Sequence, residues 1–196
     1  MIRAGFNYEE PLTHTRTIIL PSENEANGTG WLLEYHVLPQ TGPIIPEHVH
    51  LTWTETFEII SGSASYKLNG VQGNVKAGDT IVVPPRQFHI HPWNAGDTEL
   101  VVRQLNTFAQ PSPRALHDVM GVFATLAGLA REGKVNKQGL PKNPLQFFAM
   151  LKTLNKYDGY DAKLPIGVQK LLSTTLGSLA EALGYRATYP RFVGTG

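Results

Sequence analysis

The chain has 196 residues, of which 41% are hydrophobic and 17% are charged, so it can form a substantial core and does not have the composition of a disordered protein. It contains no cysteine, which excludes a disulfide scaffold, a zinc finger, an iron–sulfur cluster and a cysteine nucleophile. The net charge of +1 combines two unlike segments: residues 1–111 carry −5 and residues 112–196 carry +6. This asymmetry predicts two parts with different surfaces.

The first part has the pattern of antiparallel β-structure, because short runs rich in β-branched and aromatic residues alternate with turn sequences. The dipeptide Asn69-Gly70 is typical of a type I′ hairpin turn, in which both central residues need a positive φ. With no long helix between the runs, the pattern indicates a sandwich or a barrel. We predict eight strands, at residues 15–20, 31–38, 56–60, 64–68, 71–75, 80–83, 88–91 and 99–105.

The second part changes to a helical period. Ser112-Pro113 and Asn143-Pro144 each combine a capping residue with a proline at the first helical position, and Pro165 opens a third segment. Large apolar residues then recur at steps of three and four. The three apolar stripes are Leu116/Met120/Phe123, Leu145/Phe148/Leu151/Leu154 and Leu172/Leu176/Leu179/Leu183.

These signals divide the chain into a predicted β-barrel over residues 1–110 and an extension of about three helices over residues 111–196. Each large apolar side chain that becomes buried contributes roughly 1.5–3 kcal/mol. We therefore expect the three stripes to pack against one another or on the barrel, where the helices could form a lid over its mouth. A competing interpretation is that the basic, amphipathic helices lie on an anionic membrane surface.

Six of the seven histidines lie in the β part. His48 and His50 are two residues apart, so on a strand they share one face. Glu55 would face the other way on a continuous strand, but a bend between Leu51 and Thr54 would let it begin the next strand and face His50 across the ladder.

Glu55, Phe57 and Ile59 would then share the inner face of that strand, and Glu58 would face outward. A second histidine pair, His89 and His91, follows later in the chain. Three imidazoles and one carboxylate can enclose a divalent ion and leave positions open for water, substrate or oxygen.

Two motifs carry a family resemblance. Gly42-x5-His48-x-His50-x4-Glu55-x6-Gly62 resembles the first motif of the cupin superfamily at every defined position. Gly78-x5-Pro84-x-Arg86-x2-His89 resembles the second. This second motif departs from the family pattern twice: Arg86 replaces a glycine, and Trp93 stands at the expected asparagine, with Asn94 next.

The resemblance implies a mainly β fold, the cupin double-stranded β-helix or jelly-roll barrel, here followed by a small helical region. It also implies a divalent metal ion (Fe, Mn, Ni, Cu or Zn) inside the barrel, with the ligands His48, His50, Glu55 and His89. It further implies homodimers, in which an exchanged strand or helix would protect the sheet edges. The segment from Leu183 to Pro190 resembles the tails of bacterial cupin-domain proteins.

Two functions follow from the resemblance. The first is a metal-dependent enzyme, similar to a dioxygenase, an isomerase or a lyase, that acts on a small organic substrate. Glu55 would then bind the metal and take a substrate proton, with His91 as the alternative base. The substrate pocket would be lined by His91, Phe57, Trp53 and Trp93. The second function is a non-catalytic metal- or ligand-binding module.

Partners and location are also predicted from the sequence. We expect no nucleic-acid partner, because the chain has no basic run and its net charge is close to zero. The first residues lack the apolar run of a signal peptide. The longest uncharged helical stretch, Val119–Ala130, is too short to span a bilayer. We therefore expect a cytoplasmic protein.

Overall fold

The computed structural model describes residues 1–43 and 45–194. Within these residues, the chain folds into two β-sheets and a group of helices. The strands are β1 (Asn7–Glu10), β2 (Thr15–Leu20), β3 (Gly30–Val37), β4 (His48–His50), β5 (Trp53–Ser61), β6 (Ser63–Leu68), β7 (Val71–Lys76), β8 (Thr80–Val83), β9 (His89–Trp93), β10 (Leu100–Phe108) and β11 (Gly159–Asp161). The helices are α1 (Glu23–Asn27), α2 (Ala115–Arg131), α3 (Pro144–Lys156), α4 (Ile166–Ala182) and α5 (Pro190–Val193).

The sheets have the strand orders β1-β2-β3-β10-β5-β8 and β11-β4-β9-β6-β7. Neighbouring strands run antiparallel, and this arrangement confirms the predicted double-stranded β-helix. Asn69 and Gly70 have φ values of 49° and 81°, as the hairpin prediction requires. Apolar side chains from both sheets fill one part of the interior: Val37, Phe57, Ile59, Ala64, Ile81, Val83, Leu100 and Val102.

Strand β11 was not predicted, and it joins the helical region to the barrel. It pairs with β4, with Gly159 opposite His50 and Asp161 opposite His48. The buried side chain of Gln169 on α4 holds β11, because it accepts from the Asp161 amide at 3.0 Å and donates to the Asp161 carbonyl at 2.8 Å. A three-residue strand gives no periodic signal in the sequence. The division of the chain at residue 110 remains a prediction.

Helix α2 packs on the first sheet, against β1 and β3. Its apolar side chains share a cluster with residues of the first sheet, so the first predicted stripe contributes to the core. The cluster includes Ala115, Leu116, Val119 and Met120 of α2 together with Ile2, Ile19, Trp31 and Trp53. No helix within the described residues combines the length and the apolar character that crossing a membrane requires.

The third stripe was predicted to be buried, and this prediction is wrong for two of its four members: Leu179 and Leu183 are exposed, whereas Leu172 and Leu176 are half-buried. Helix α4 instead packs on α3 through a face of small and polar residues that includes Gly177. A Cβ atom at Gly177 would lie only 2.8 Å from Lys152 Cβ and 2.9 Å from Phe148 O. The small residues therefore allow the close approach of the two helices, and the leucines remain on the outside.

Candidate metal centre

Strand β4 directs His48 and His50 to the same side, into the barrel interior. Leu51 and Thr52 form a bend, so Glu55 lies on β5 and points inward, as predicted. The expected pairing across a ladder is wrong, because β4 and β5 belong to different sheets. Glu55 faces His50 across the interior, with Oε1 3.6 Å from His50 Nε2.

Strand β9 supplies the second histidine pair. The Nε2 atoms of His89 and His91 lie 2.7 Å and 3.2 Å from Glu55 Oε2. Five side chains thereby converge, and one ligand atom from each lies within 4.8 Å of the others. They are the four predicted ligands His48, His50, Glu55 and His89, together with His91, which the sequence analysis placed in the substrate pocket.

Backbone carbonyls orient two of the imidazoles. The Nδ1–H group of His48 donates to Pro46 O at 2.8 Å, and that of His89 donates to Gln87 O at 2.9 Å. These bonds direct Nε2 of each ring into the cluster, which is the arrangement by which proteins hold metal-binding histidines. The buried Nδ1 of His50 has no hydrogen-bond partner among the described residues.

The donor set fits a divalent transition metal ion. Nitrogen and oxygen ligands lie about 2.0–2.2 Å from such an ion, so neighbouring ligand atoms are separated by roughly 3 Å and opposite ones by roughly 4 Å. The separations in the cluster run from 2.7 Å to 4.8 Å, so the most distant ligand atoms would move closer together by roughly half an ångström around a bound ion. Imidazole with one carboxylate suits Fe, Mn, Ni, Cu and Zn, and these residues do not select among them.

Burial and hydrogen bonding set the charges of the cluster. Burial lowers the pKa of His50 to about 3 and the pKa of His48 well below its ordinary value. Burial alone would raise the pKa of Glu55, but this pKa lies well below its ordinary value. It is lowered by the nearby imidazoles of His91 and His50, and by the hydrogen bonds that Glu55 accepts from His89 and His91. At neutral pH, His48 and His50 are therefore neutral and Glu55 is ionised, which are the protonation states that metal ligands need. His89 differs, because burial alone would lower its pKa but the hydrogen bond to Glu55 raises it, so a bound ion would displace a proton from its Nε2.

A polar chain behind Glu55 was missed by the sequence analysis. Gln104 Nε2 donates to Glu55 Oε1 at 2.6 Å, and Gln104 Oε1 accepts from the Tyr35 hydroxyl. With its amide oriented to satisfy its neighbours, Asn106 also donates to Glu55 Oε1 at 3.0 Å and accepts from Trp31 Nε1 at 2.8 Å. The signal was present in the sequence, because Gln104 and Asn106 occupy inward-facing positions on β10 where apolar residues are expected.

We expect Gln104→Leu to weaken the binding of a divalent ion by about 10–100-fold, the usual effect of losing a group that orients a metal ligand. The variant leaves the carboxylate of Glu55 without its 2.6 Å donor. Affinity is measured by competition with a chromophoric chelator. Gln72→Leu, at an exposed position on β7, is the matched control, and equal affinities in the two variants would contradict the assigned role.

The predicted pocket residues separate into different environments. The Trp53 ring lies 3.8 Å from the His50 ring and is buried with Trp31 and Phe108 in the cluster under α2. Phe57 is buried in the core between the sheets, with its ring 4.8 Å from the His91 ring. Trp93 is half-buried at the end of β9. Trp53 therefore packs against His50 and Phe57 against His91, and the two belong to different apolar clusters.

The structure shows what Arg86 and Asn94 do at the two places where the second motif departs from the family pattern. Arg86 has a φ of 68°, a left-handed conformation that favours glycine, and its amide donates to His50 O at 2.6 Å. Asn94, one position later than the motif expects, is buried and donates to Val37 O at 2.9 Å and to Thr98 O at 2.7 Å. Arg86 thus adopts a conformation that a glycine at this position would adopt without strain.

We expect Arg86→Gly to stabilise the fold. A left-handed conformation costs an L-residue roughly 1–2 kcal/mol, and glycine removes this cost. Glycine also loses more conformational freedom on folding, which offsets about 0.5–1 kcal/mol of the gain in stability. The thermal midpoint should rise by about 1–4 °C, as measured by calorimetry. Arg16→Gly, at an exposed position on β2, should lower it. A fall for Arg86→Gly would mean that the arginine side chain makes a stabilising contact.

Comparisons with known proteins agree with this architecture. Residues 35–108 match the family model described as "Cupin domain", whereas no curated protein matches the chain. Among solved structures, a predicted oxalate decarboxylase from Thermotoga maritima has 18% identity over 54% of this chain and 92% of its own, with a TM-score of 0.44.

Two further solved structures are similar. KdgF from Halomonas sp. has 15% identity over 54% of this chain and 87% of its own, with a TM-score of 0.44. An RmlC-like cupin from Shewanella frigidimarina has 17% identity over 49% of this chain and 78% of its own, with a TM-score of 0.40.

Proposed function

The barrel of this chain is a cupin domain, and from that premise we propose that it holds one divalent transition metal ion and acts as a metal-dependent enzyme on a small organic substrate. The ligands would be His48, His50, Glu55 and His89. The observation that carries the proposal is their convergence in the barrel, with all ligand atoms within 4.8 Å of one another. When bound, such an ion supplies Lewis-acid or oxygen-dependent redox chemistry.

The cluster has an inner and an outer side. Glu55 and His89 are almost completely buried, with side-chain exposures of 2% and 1%, whereas 14% of the His91 side chain is exposed. His48 is also only partly buried. A substrate would therefore approach past His48 and His91, and the ring of Phe57 beside His91 would exclude water from one side of it.

We assign different tasks to Glu55 and His91. Both oxygens of Glu55 accept hydrogen bonds, from Gln104 on one side and from the imidazoles of His89 and His91 on the other. These bonds also hold the pKa of Glu55 low, whereas an effective general base has a pKa near the working pH. Glu55 is thus suited to hold the ion. His91, partly exposed and 3.2 Å from Glu55 Oε2, is suited to hold or move a substrate proton at Nε2.

The experiment that tests the proposal asks whether a small molecule can reach an ion in the site. Metal-free protein is loaded with Fe(II) without oxygen and exposed to nitric oxide. We expect the paramagnetic resonance signal of an iron–nitrosyl complex, because four protein ligands leave positions open. The same signal should be lost in His48→Ala/His50→Ala. Loaded protein without a nitrosyl signal would contradict an enzyme of this type.

A second candidate function, a non-catalytic metal-binding module, is favoured by one observation. His91 Nε2 lies among the other ligand atoms, and a fifth protein ligand would leave fewer positions for a substrate. Five protein ligands would leave one of six positions open, so nitric oxide would bind in either case, whereas a bidentate ligand such as oxalate should bind the loaded His91→Ala variant more tightly than the natural chain. Oxygen uptake coupled to turnover of a candidate substrate would decide for a dioxygenase, and turnover without oxygen uptake for an isomerase or a lyase.

A further inference from the structure

A cavity of about 1100 Å³ lies in the helical region, outside the metal centre. Residues of α2, α3, β11, α4 and the segment after α4 line it. Tyr160, the middle residue of β11, is one of them, whereas a Cβ atom at Gly159 would lie 3.6 Å from the ring of His50. Because successive residues of a strand face opposite sides, the cavity and the metal centre lie on opposite sides of β11.

The wall of the cavity contains a buried amide without a partner. Asn155, on the last turn of α3, lines the cavity and is only 8% exposed. Neither the nitrogen nor the oxygen of its side-chain amide makes a hydrogen bond within residues 1–43 and 45–194. Buried polar groups are almost always hydrogen-bonded, because an unpaired group loses its hydration without compensation. An amide both donates and accepts, so Asn155 fits a ligand with hydroxyl groups.

Tyr160 connects Asn155 with two polar residues of α4. The Tyr160 hydroxyl donates to the Asn155 carbonyl at 3.2 Å, and Lys170 Nζ lies 5.6 Å from the centre of the Tyr160 ring. Ser173 is buried and donates to the Lys170 carbonyl at 3.1 Å, so its hydroxyl oxygen can still accept. All four residues line the cavity. An exposed ammonium group beside buried, uncharged polar groups is an arrangement that can orient a small molecule.

The charges around the cavity favour an anion. The lining includes five Lys or Arg residues and three Asp or Glu residues, an excess of two positive charges. Arg114, Lys152 and Lys156 are paired with carboxylates, whereas Lys170 and Arg186 form no ion pair in the part of the chain that the structure describes. A phosphomonoester carries a charge of roughly −1.5 to −2 near pH 7, which matches this excess.

We propose that the cavity is a second ligand site, separate from the metal centre, for a small phosphomonoester that also carries hydroxyl groups. The phosphate would accept from the ammonium group of Lys170, and the hydroxyl groups would pair with the Asn155 amide. Asp158 lies at the same end of the cavity, where its carboxylate accepts from the hydroxyls of Tyr160 and Thr52. Its negative charge would oppose a second acidic group on the ligand. The site does not depend on the metal ion proposed above.

The first experiment measures the binding of glycerol 3-phosphate to the full-length chain by isothermal titration calorimetry. We expect it to bind at least about 10-fold more tightly than inorganic phosphate or glycerol, because each of these makes only part of the contacts. Lys170→Gln should weaken binding by about 10–100-fold, the usual effect of losing a hydrogen bond to a charged group. The matched control is Lys163→Gln, which removes an exposed lysine that does not line the cavity and should leave the affinity unchanged.

The second experiment separates a ligand-binding amide from a structural one. Asn155→Leu keeps a side chain of similar size and removes both unpaired groups. It should abolish the preference for glycerol 3-phosphate over inorganic phosphate. The thermal midpoint of the ligand-free chain should stay the same or rise, because the fold loses no hydrogen bond. A lower midpoint with the preference retained would show that the amide supports the fold and does not bind the ligand.

The same titration with His48→Ala/His50→Ala shows where the ligand binds. We expect an unchanged affinity, and loss of binding in this variant would place the phosphomonoester at the metal centre and overturn the proposal. Equal losses in Lys170→Gln and Lys163→Gln would reduce the effect to general surface charge, which would also overturn it.

A lipid headgroup is the other source of the same chemistry, because phosphatidic acid in vesicles is also a phosphomonoester. Co-sedimentation with such vesicles that is stronger than the binding of glycerol 3-phosphate, and is lost in Lys170→Gln, would retain the site and identify a membrane lipid as its ligand. If neither probe binds at millimolar concentration, the cavity holds only water and the proposal is wrong.

Discussion

Replacing both His48 and His50 with alanine is expected to abolish the binding of one divalent ion per chain. The double variant removes half of the proposed ligand set and leaves Glu55 and His89 as the remaining ligands. Loss of a single group that only orients a ligand costs about 10–100-fold in affinity, so the loss of two ligands should weaken binding by more than about 100-fold. Metal content is measured by elemental analysis after dialysis against a weak chelator.

The matched control replaces two histidines that lie outside the cluster. His14 is exposed beside Glu9, and His36 lies beside Glu34, so His14→Ala/His36→Ala should retain the full metal content. Circular dichroism of both double variants separates loss of the ion from loss of the fold. Full occupancy in His48→Ala/His50→Ala would show that the ion, if bound, is held by other residues.

Ending the chain after Ala109 is expected to prevent the barrel from folding. The truncation removes Leu116, Val119 and Met120, which are buried in the cluster with Trp31. At roughly 1.5–3 kcal/mol for each side chain, their loss amounts to about 5–9 kcal/mol. The whole free energy of unfolding of a typical domain is about 5–15 kcal/mol.

The truncation also removes β11, which forms three of the residue pairs that hold β4 in its sheet. The remaining strand contact of β4 is the pair His48–His89 with β9, so the two histidines of β4 would lose their fixed position. We expect the fragment to be insoluble or to lack a cooperative thermal transition, and to bind no metal. A soluble, cooperatively folded and metal-binding fragment would show that the helices are neither core nor lid.

The sequence predicted the convergence of the four side chains because their spacing reflects local geometry. Alternation along a strand is enough to bring His48 and His50 to one face, and the family resemblance added Glu55 and His89. The position of His91 within the cluster could not be decided by spacing, because it depends on the distance between facing sheets. Gln104 was overlooked because an inward polar residue has meaning only once its buried partner is known.

The helical region was predicted less well, for a different physical reason. The sequence analysis took the leucines of α4 as the buried stripe, but burial depends on which neighbour fits. Gly177 lets α4 approach α3 closely on the opposite side, so Leu179 and Leu183 face outward. The contact between β11 and β4 joins residues more than a hundred positions apart, and such pairing cannot be deduced from a three-residue segment.

Anomalous diffraction from crystals of the full-length chain loaded with one divalent ion tests the metal centre most directly. Data collected at the absorption edge of the ion should give one strong peak per chain, enclosed by His48, His50, Glu55 and His89. The distance from the peak to His91 Nε2 then decides whether His91 is a fifth ligand or a neighbour. A peak located elsewhere, for example between Glu34 and His36, with none inside the barrel, would show that these four residues do not bind the ion.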